Sequence, residues 1–150
     1  MRILVSGKNG QLGRSIHKLV NTDTKIDNNQ SSNEFIFVGR EELDLSSESG
    51  ISHYFDNNNK FDIIINCAAY TQVDKAEQEV ELASQINHLA VKQLASIANK
   101  QKAKLIHIST DYVFDGESNQ PYIETDIPNP INVYGKTKLA GEKALQTVMP

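Results

Sequence analysis

The chain has 150 residues, 39% of them hydrophobic and 23% charged, and a formal net charge of -4. That length fits one globular domain, and the apolar share is sufficient to bury a core. Fifteen Lys and Arg against 19 Asp and Glu argue against a nucleic-acid binder built on a basic surface. No run approaches the roughly 18 apolar residues of a membrane span. The start, MRILVSGKNG, lacks the long apolar stretch and cleavage site of a secretory signal, so the expected location is the cytoplasm. The single cysteine, Cys67, excludes an internal disulfide, and no Cys/His cluster suggests zinc.

In chain order, Arg2 to Ser6 (RILVS) is a short apolar run that reads as a buried strand. Gln11 to Val20 carries Leu12, Ile16, Leu19 and Val20 at helical spacing, and the polar stretch Asn21 to Asn33 reads as a surface loop. Asn29-Gln30-Ser31 within it matches a glycosylation acceptor, which has no meaning in the cytoplasm. Glu34 to Val38 is a second strand, Ser47 to Phe55 a short helix, and Asp62 to Asn66 a third strand whose three isoleucines suit a parallel sheet covered on both faces. Lys75 to Lys100 reads as one long helix with an apolar stripe from Ala76 to Ala98. Lys104 to Ser109 is a fourth strand, Asp115 to Pro130 a loop holding three of the four prolines, and Val133 to Val148 a final helix. Alternating strands and helices predict an α/β, Rossmann-type doubly wound parallel sheet. Such a sheet normally has six strands, so four imply a fold incomplete at the C-terminus. The whole span 1–150 is then expected to be the NAD(P)-binding part, with a substrate domain lying elsewhere.

Gly7, Gly10 and Gly13 (GKNGQLG) leave the first strand and open the first helix. In that context Gly7 serves a tight turn, Gly10 admits a pyrophosphate near the backbone, and Gly13 permits close helix–strand packing. Gln11 and Leu12 lie at the helix N-terminus, whose free N–H groups and positive dipole end face the phosphates. The spacing is GxxGxxG rather than GxGxxG, and a turn that merely needs positive φ is the competing reading. After strand two, Arg40 either accommodates a 2′-phosphate or is a solvated arginine beside Glu41 and Glu42. Asp44 either accepts from an adenine amino group, with Leu45 flanking the ring, or caps the helix beginning near Ser46. Strand three leads into Cys67, Ala68, Ala69 and Tyr70, where small residues let a cofactor approach the backbone. Cys67 reads as a packed thiol, since no His partner is evident.

Strand four ends in Ser109-Thr110-Asp111-Tyr112, and the final helix opens with Tyr134-Gly135-Lys136-Thr137-Lys138. Tyr134 and Lys138 are four apart and share a helix face. An ammonium near a phenol favours the phenolate, so the tyrosine can donate a proton to a carbonyl oxygen receiving hydride. The Thr110 hydroxyl can hold the same oxygen, and Lys138 can reach ribose hydroxyls. The four histidines, His17, His53, His88 and His107, do not cluster and read as surface or packing residues. Glu77 and Glu79 read as a solvated helix face.

Four segments carry a family resemblance: GKNGQLG (Gly7 to Gly13), NCAAYTQVDKAE (Asn66 to Glu77), STDYVFDG (Ser109 to Gly116) and NVYGKTKLAGE (Asn132 to Glu142). The chain resembles the extended short-chain dehydrogenase/reductases, and within them the dTDP-4-dehydrorhamnose reductases. The resemblance implies reduction of the 4-keto group of dTDP-4-dehydro-L-rhamnose by NADPH or NADH, feeding cell-surface polysaccharide. It places Thr110, Tyr134 and Lys138 at the catalytic positions and Asp111 and Tyr112, with Thr110, in the nucleotide-sugar pocket. The expected cofactor contacts are Gly7, Gly10, Gln11, Leu12, Gly13, Arg40, Asp44, Leu45, Cys67, Ala68, Ala69, Tyr70, Ser109, Tyr134 and Lys138. Related 4,6-dehydratases carry Asp-Glu after the threonine, whereas Asp111-Tyr112 stands here. Ser15 stands where some members use a glutamate in a magnesium-bridged dimer, so no metal is expected there.

The expected partner is a dTDP-4-keto-6-deoxy sugar, with no nucleic acid and no membrane, and either a homodimer or self-association of the isolated segment through the apolar fourth strand. The alternatives are a non-catalytic NADP-binding regulatory subunit, as in relatives that regulate methionine adenosyltransferase, and a reductase of another nucleotide 4-keto sugar. The intact Thr/Tyr/Lys set favours an enzyme.

Overall fold

The apolar runs form four strands, β1 (Arg2–Ser6), β2 (Glu34–Val38), β3 (Ile63–Asn66) and β4 (Lys104–His107), in a computed structural model that describes residues 1–22 and 33–149. All pair in parallel, in the order β2-β1-β3-β4. The doubly wound arrangement expected from the sequence is therefore present. The predicted polar loop and the Asn29 acceptor lie largely or wholly in 23–32, outside the described residues.

The register stacks one side chain of each inner strand beside the next. Leu4, Ile64 and Leu105 form one cross-strand row, and Ser6, Asn66 and His107 form the row two residues on, at the C-terminal ends. The apolar row, with Val38, packs against Ile51 and Phe55 of α2 (Glu48–Asp56) and Ala90, Leu94 and Ala98 of α5 (Ala90–Gln101). Helix α1 (Gln11–Thr22) covers the other face, with His17 edge-on to Phe37 at 4.6 Å between ring centroids. Ser47 caps α2, its Oγ accepting from the Gly50 N–H at 3.0 Å. Among the described residues β4 is an edge strand, and Ile106 and Ile108 stay largely exposed.

The single helix expected from Lys75 to Lys100 is corrected to a broken run: α3 (Val73–Ala76), α4 (Val80–Ser84), a π-helical turn (Gln85–Leu89) and then α5. Side chains from the interruptions are held by partners outside their own helical segments. Glu79 accepts from the Tyr70 hydroxyl at 2.7 Å and pairs with Lys75 at 2.8 Å. Glu77 accepts from the Val133 N–H at 2.8 Å, at the start of α6 (Val133–Val148). Glu77 is exposed and Glu79 partly so, as a solvated face would have them, and both also tie elements together. In the π turn, buried Asn87 accepts from the Tyr70 N–H (2.9 Å) and donates to the Tyr70 carbonyl (3.0 Å) and Thr137 Oγ1 (3.2 Å). A widened turn is a common way to aim such a side chain. No helix among the described residues is long and apolar enough to cross a membrane.

Leu94 is fully enclosed where α5 meets the sheet. Leu94→Ala should lower unfolding stability by about 2–5 kcal/mol in urea titrations of the full chain; a loss below ~1 kcal/mol would contradict this account of the core.

Candidate active site

The candidate residues gather along the C-terminal edge of the sheet because each apolar run stops there. Gly7 turns the chain at φ +76°, and a Cβ on it would lie 2.8 Å from the Ala68 nitrogen and 2.9 Å from the Cys67 carbonyl carbon. A Cβ on Gly13 would lie 2.3 Å from the Gly7 carbonyl oxygen. The turn from β1 into α1 thus presses against the β3 exit and against its own helix, with no side chain between. Gly10 donates its N–H to the Gly7 carbonyl at 2.9 Å. The first-turn N–H groups of α1, including those of Gln11 and Leu12, have no partner within the helix and suit an anion. Half-buried Cys67, Ala68 and Ala69 leave the opposite wall low. Burial pushes the Cys67 thiol up, consistent with a packed cysteine. These features fit a dinucleotide: a backbone cradle at a helix N-terminus facing small residues.

At the β2 exit, Arg40 is exposed and meets Asp44 at 3.5 Å. Asp44 Oδ1 accepts from the Ser46 N–H (2.9 Å) and Oγ (2.7 Å), so it builds the turn before α2, while Ser47 is the cap. Leu45, expected beside an adenine ring, packs in the core and is 5% exposed. Sequence reasoning passed over Glu42, whose carboxylate binds the Lys8 ammonium and accepts from the Gly39 N–H at 2.8 Å. The Lys8 hydrogen bond, with that of Gly39, holds the Glu42 carboxyl below its ordinary range. Tyr70, expected at the cofactor, is buried, with both backbone groups bound to Asn87 and its hydroxyl donating to Glu79. Burial, then the Glu79 carboxylate, pushes its phenol up to about 12.

The β4 exit and α6 meet at the chemistry. Asn132 caps α6, accepting from the Gly135 N–H at 2.7 Å. A Cβ on Gly135 would lie 2.1 Å from the Tyr112 carbonyl oxygen, so the helix start lies directly on the single 3-10 turn Asp111–Val113. Thr110 caps that turn, accepting from the Tyr112 N–H at 3.3 Å and donating to Asp111 Oδ1 at 3.2 Å. The rings of Tyr112 and Tyr134 stand edge-on, 5.5 Å between centroids. Ser109 donates to Glu142 of α6. Lys138, 1% exposed, donates from Nζ to the Ile108 carbonyl at 2.5 Å and lies 3.3 Å from His107 Nε2. Thr110, Asp111, Tyr112, Tyr134 and Lys138 are thus brought to one place, as the sequence spacing anticipates.

Behind that place runs a polar row that the sequence reading did not identify. Asn66 Oδ1 accepts from Ser6 Oγ (2.6 Å) and the Ala68 N–H (3.2 Å), and its Nδ2 lies 3.1 Å from His107 Nδ1. This row joins the β1 and β3 exits to Lys138. Burial, then the Lys138 charge, takes His107 down to about 4, and burial takes Lys138 down to about 8 against the opposing pull of Glu142. His107, read earlier as a surface or packing residue, is therefore part of the site. The signal in the sequence was a polar residue closing each of three apolar runs: RILVS, DIIIN and KLIH.

A histidine whose folded pKa lies below its unfolded one binds fewer protons when folded. Its neutral form therefore supports stability above about pH 6.5, and that support is lost as pH falls toward 4. Unfolding titrations between pH 4 and 7 should show a steeper acid loss for the native protein than for His107→Gln; parallel curves would contradict the burial of His107.

Comparisons with known proteins identify the family. The family described as RmlD substrate binding domain matches residues 1–150. The dTDP-4-dehydrorhamnose reductase of Salmonella typhimurium is 44% identical over 100% of this chain and 48% of its own length. The crystal structure of such a reductase from Clostridium acetobutylicum superposes with a TM-score of 0.85 at 40% identity, over 99% of this chain and 50% of that one. The Bacillus anthracis structure, determined in complex with NADP, gives 0.86 at 35% identity over the same shares. The chain spans about half the length of the curated relatives it matches. Matched along all 150 residues, the chain belongs to the RmlD substrate binding domain family.

Proposed function

We propose that the protein containing this segment is a dTDP-4-dehydrorhamnose reductase, which reduces the 4-keto group of dTDP-4-dehydro-L-rhamnose to give dTDP-L-rhamnose, and that 1–150 is its dinucleotide-binding part. The observation that carries the reading is the convergence of Thr110, Tyr134 and buried Lys138 beside a glycine turn that fits a dinucleotide. The B. anthracis relative bound to NADP supports NADPH as cofactor, and exposed Arg40 suits a 2′-phosphate; NADH remains the second candidate.

NADPH, when bound, supplies the hydride that reduces C4. Gly7, Gly10, Gln11, Leu12 and Gly13 hold its pyrophosphate on the α1 N-terminus. Tyr134 donates its phenolic proton to the carbonyl oxygen as that oxygen gains charge. Thr110 Oγ1, already at the mouth of the β4 exit, turns its O–H from Asp111 to the same oxygen. Lys138 favours the phenolate of Tyr134 electrostatically and binds ribose hydroxyls. Asp111 and Tyr112 line the sugar side, with Asp111 and Thr110 held by the 3-10 turn. Asp111-Tyr112 supplies no glutamate for the acid–base pair of a 4,6-dehydratase, which favours simple reduction.

In the full-length protein, Tyr134→Phe should cut turnover of dTDP-4-dehydrorhamnose by roughly 10²–10⁴-fold, followed by NADPH absorbance, while NADPH affinity changes less than about threefold. Near-normal turnover in the variant, or no reduction by the wild type, would overturn the reading.

A further inference from the structure

Donor and acceptor counting around Lys138 leads beyond these roles. The Ala68 N–H can only donate, so the Asn66 atom facing it, at 3.2 Å, must be the carbonyl oxygen Oδ1. The other end of the same amide, NδH₂, therefore faces His107 Nδ1 at 3.1 Å, and Nδ1 must accept. A neutral imidazole carries one proton, so that proton is on Nε2. Nε2–H then points at Lys138 Nζ, 3.3 Å away. An ammonium has no lone pair to accept it; an amine has one. The Lys138 nitrogen also donates to the Ile108 carbonyl at 2.5 Å, which either form can do.

We propose that His107 is a positioning residue for Lys138: its Nε2–H, fixed by Asn66 and Ser6, donates to the Lys138 amine and favours that form over the ammonium. This deepens the proposed function and rests on the role given there to Lys138. Its use is in the return of protons. After Tyr134 has given its proton to the sugar oxygen, a proton released by Lys138 replenishes the phenol. The amine left behind accepts from His107 Nε2–H until water returns a proton to it. Every proton is thus accounted for, and no further reactant is needed.

The charges around the pair are few. On α6, Glu142 lies one turn beyond Lys138 and favours the ammonium, so it opposes His107; Lys136 and Lys143 are exposed. On α5, also packed on β4, Lys92 and Lys100 are exposed. From β3 only the neutral Asn66 amide meets the ring.

The test is NMR on the full-length protein without substrate. In ¹⁵N-histidine spectra at pH 7, His107 should be the Nε2–H tautomer; the Nδ1–H tautomer or an imidazolium would overturn the proposal. Following the Lys138 ¹³Cε shift from pH 6 to 11, His107→Leu should raise the pH of titration by at least about half a unit, and His107→Gln, which keeps an N–H donor, should raise it less. An unchanged midpoint in His107→Leu would overturn the proposal. Should His107→Leu fail to fold, the wild-type tautomer still decides. Neither readout needs sugar reduction, so an inactive wild type with the expected spectra would count against the proposed function alone. Where the wild type is active, the same variants should move the pH profile of kcat by a matching amount, which a merely structural histidine would not do.

Discussion

A buried lysine needs a partner for its nitrogen, and Lys138 finds one in the carbonyl of Ile108, where β4 leaves the sheet. Most of the site depends on that contact. It pins α6 to the strand exit, and with the helix cap at Asn132 it fixes where Tyr134 stands, one turn earlier. Removing an ammonium-sized group from water is costly, and the Ile108 carbonyl and the charge of Glu142, one helical turn on, offset part of that cost. The result is a lysine nitrogen held at a fixed position, with its pKa lowered by burial, and both properties are useful to proton transfer.

The opposite end of the site is governed by close approach. Gly7 touches the Cys67–Ala68 peptide and Gly13 touches Gly7, so backbone, not side chain, forms the floor on which a pyrophosphate would lie. The Ser6–Asn66–His107 row connects this floor to Lys138 across three parallel strands. A parallel register makes that row possible, because it brings the last residue of each strand level with its neighbours. One apolar row beneath it anchors the strands in the core, and one polar row above it begins the chemistry.

The sequence made the strands, the glycine turn and the Tyr134/Lys138 pair legible because each is local: apolar runs, spacing of three, spacing of four. The long helix was misread for the opposite reason. Its apolar stripe continues through Ala76, Ala83 and Ala90, while the breaks coincide with contacts outside the stripe, Tyr70 for Glu79 and Asn87, and Val133 for Glu77. Leu45 and Tyr70 sit at strand exits, where motif position suggested a ligand, but their neighbours in space take them into the two cores. His107 was invisible as a site residue because its meaning comes from register: only pairing with Asn66, 41 residues away, sets its ring against Lys138.

The central claim is that the strand exits and Lys138 together form the place where a nicotinamide cofactor meets the protein. Its most direct test is the NADPH affinity of the full-length protein and of Lys138→Met, measured by calorimetric titration beside an unfolding curve for each. The account predicts at least about tenfold weaker binding, ~1.4 kcal/mol, in a variant that remains folded. Equal affinity in a folded Lys138→Met, or no NADPH binding by the wild type, would contradict it.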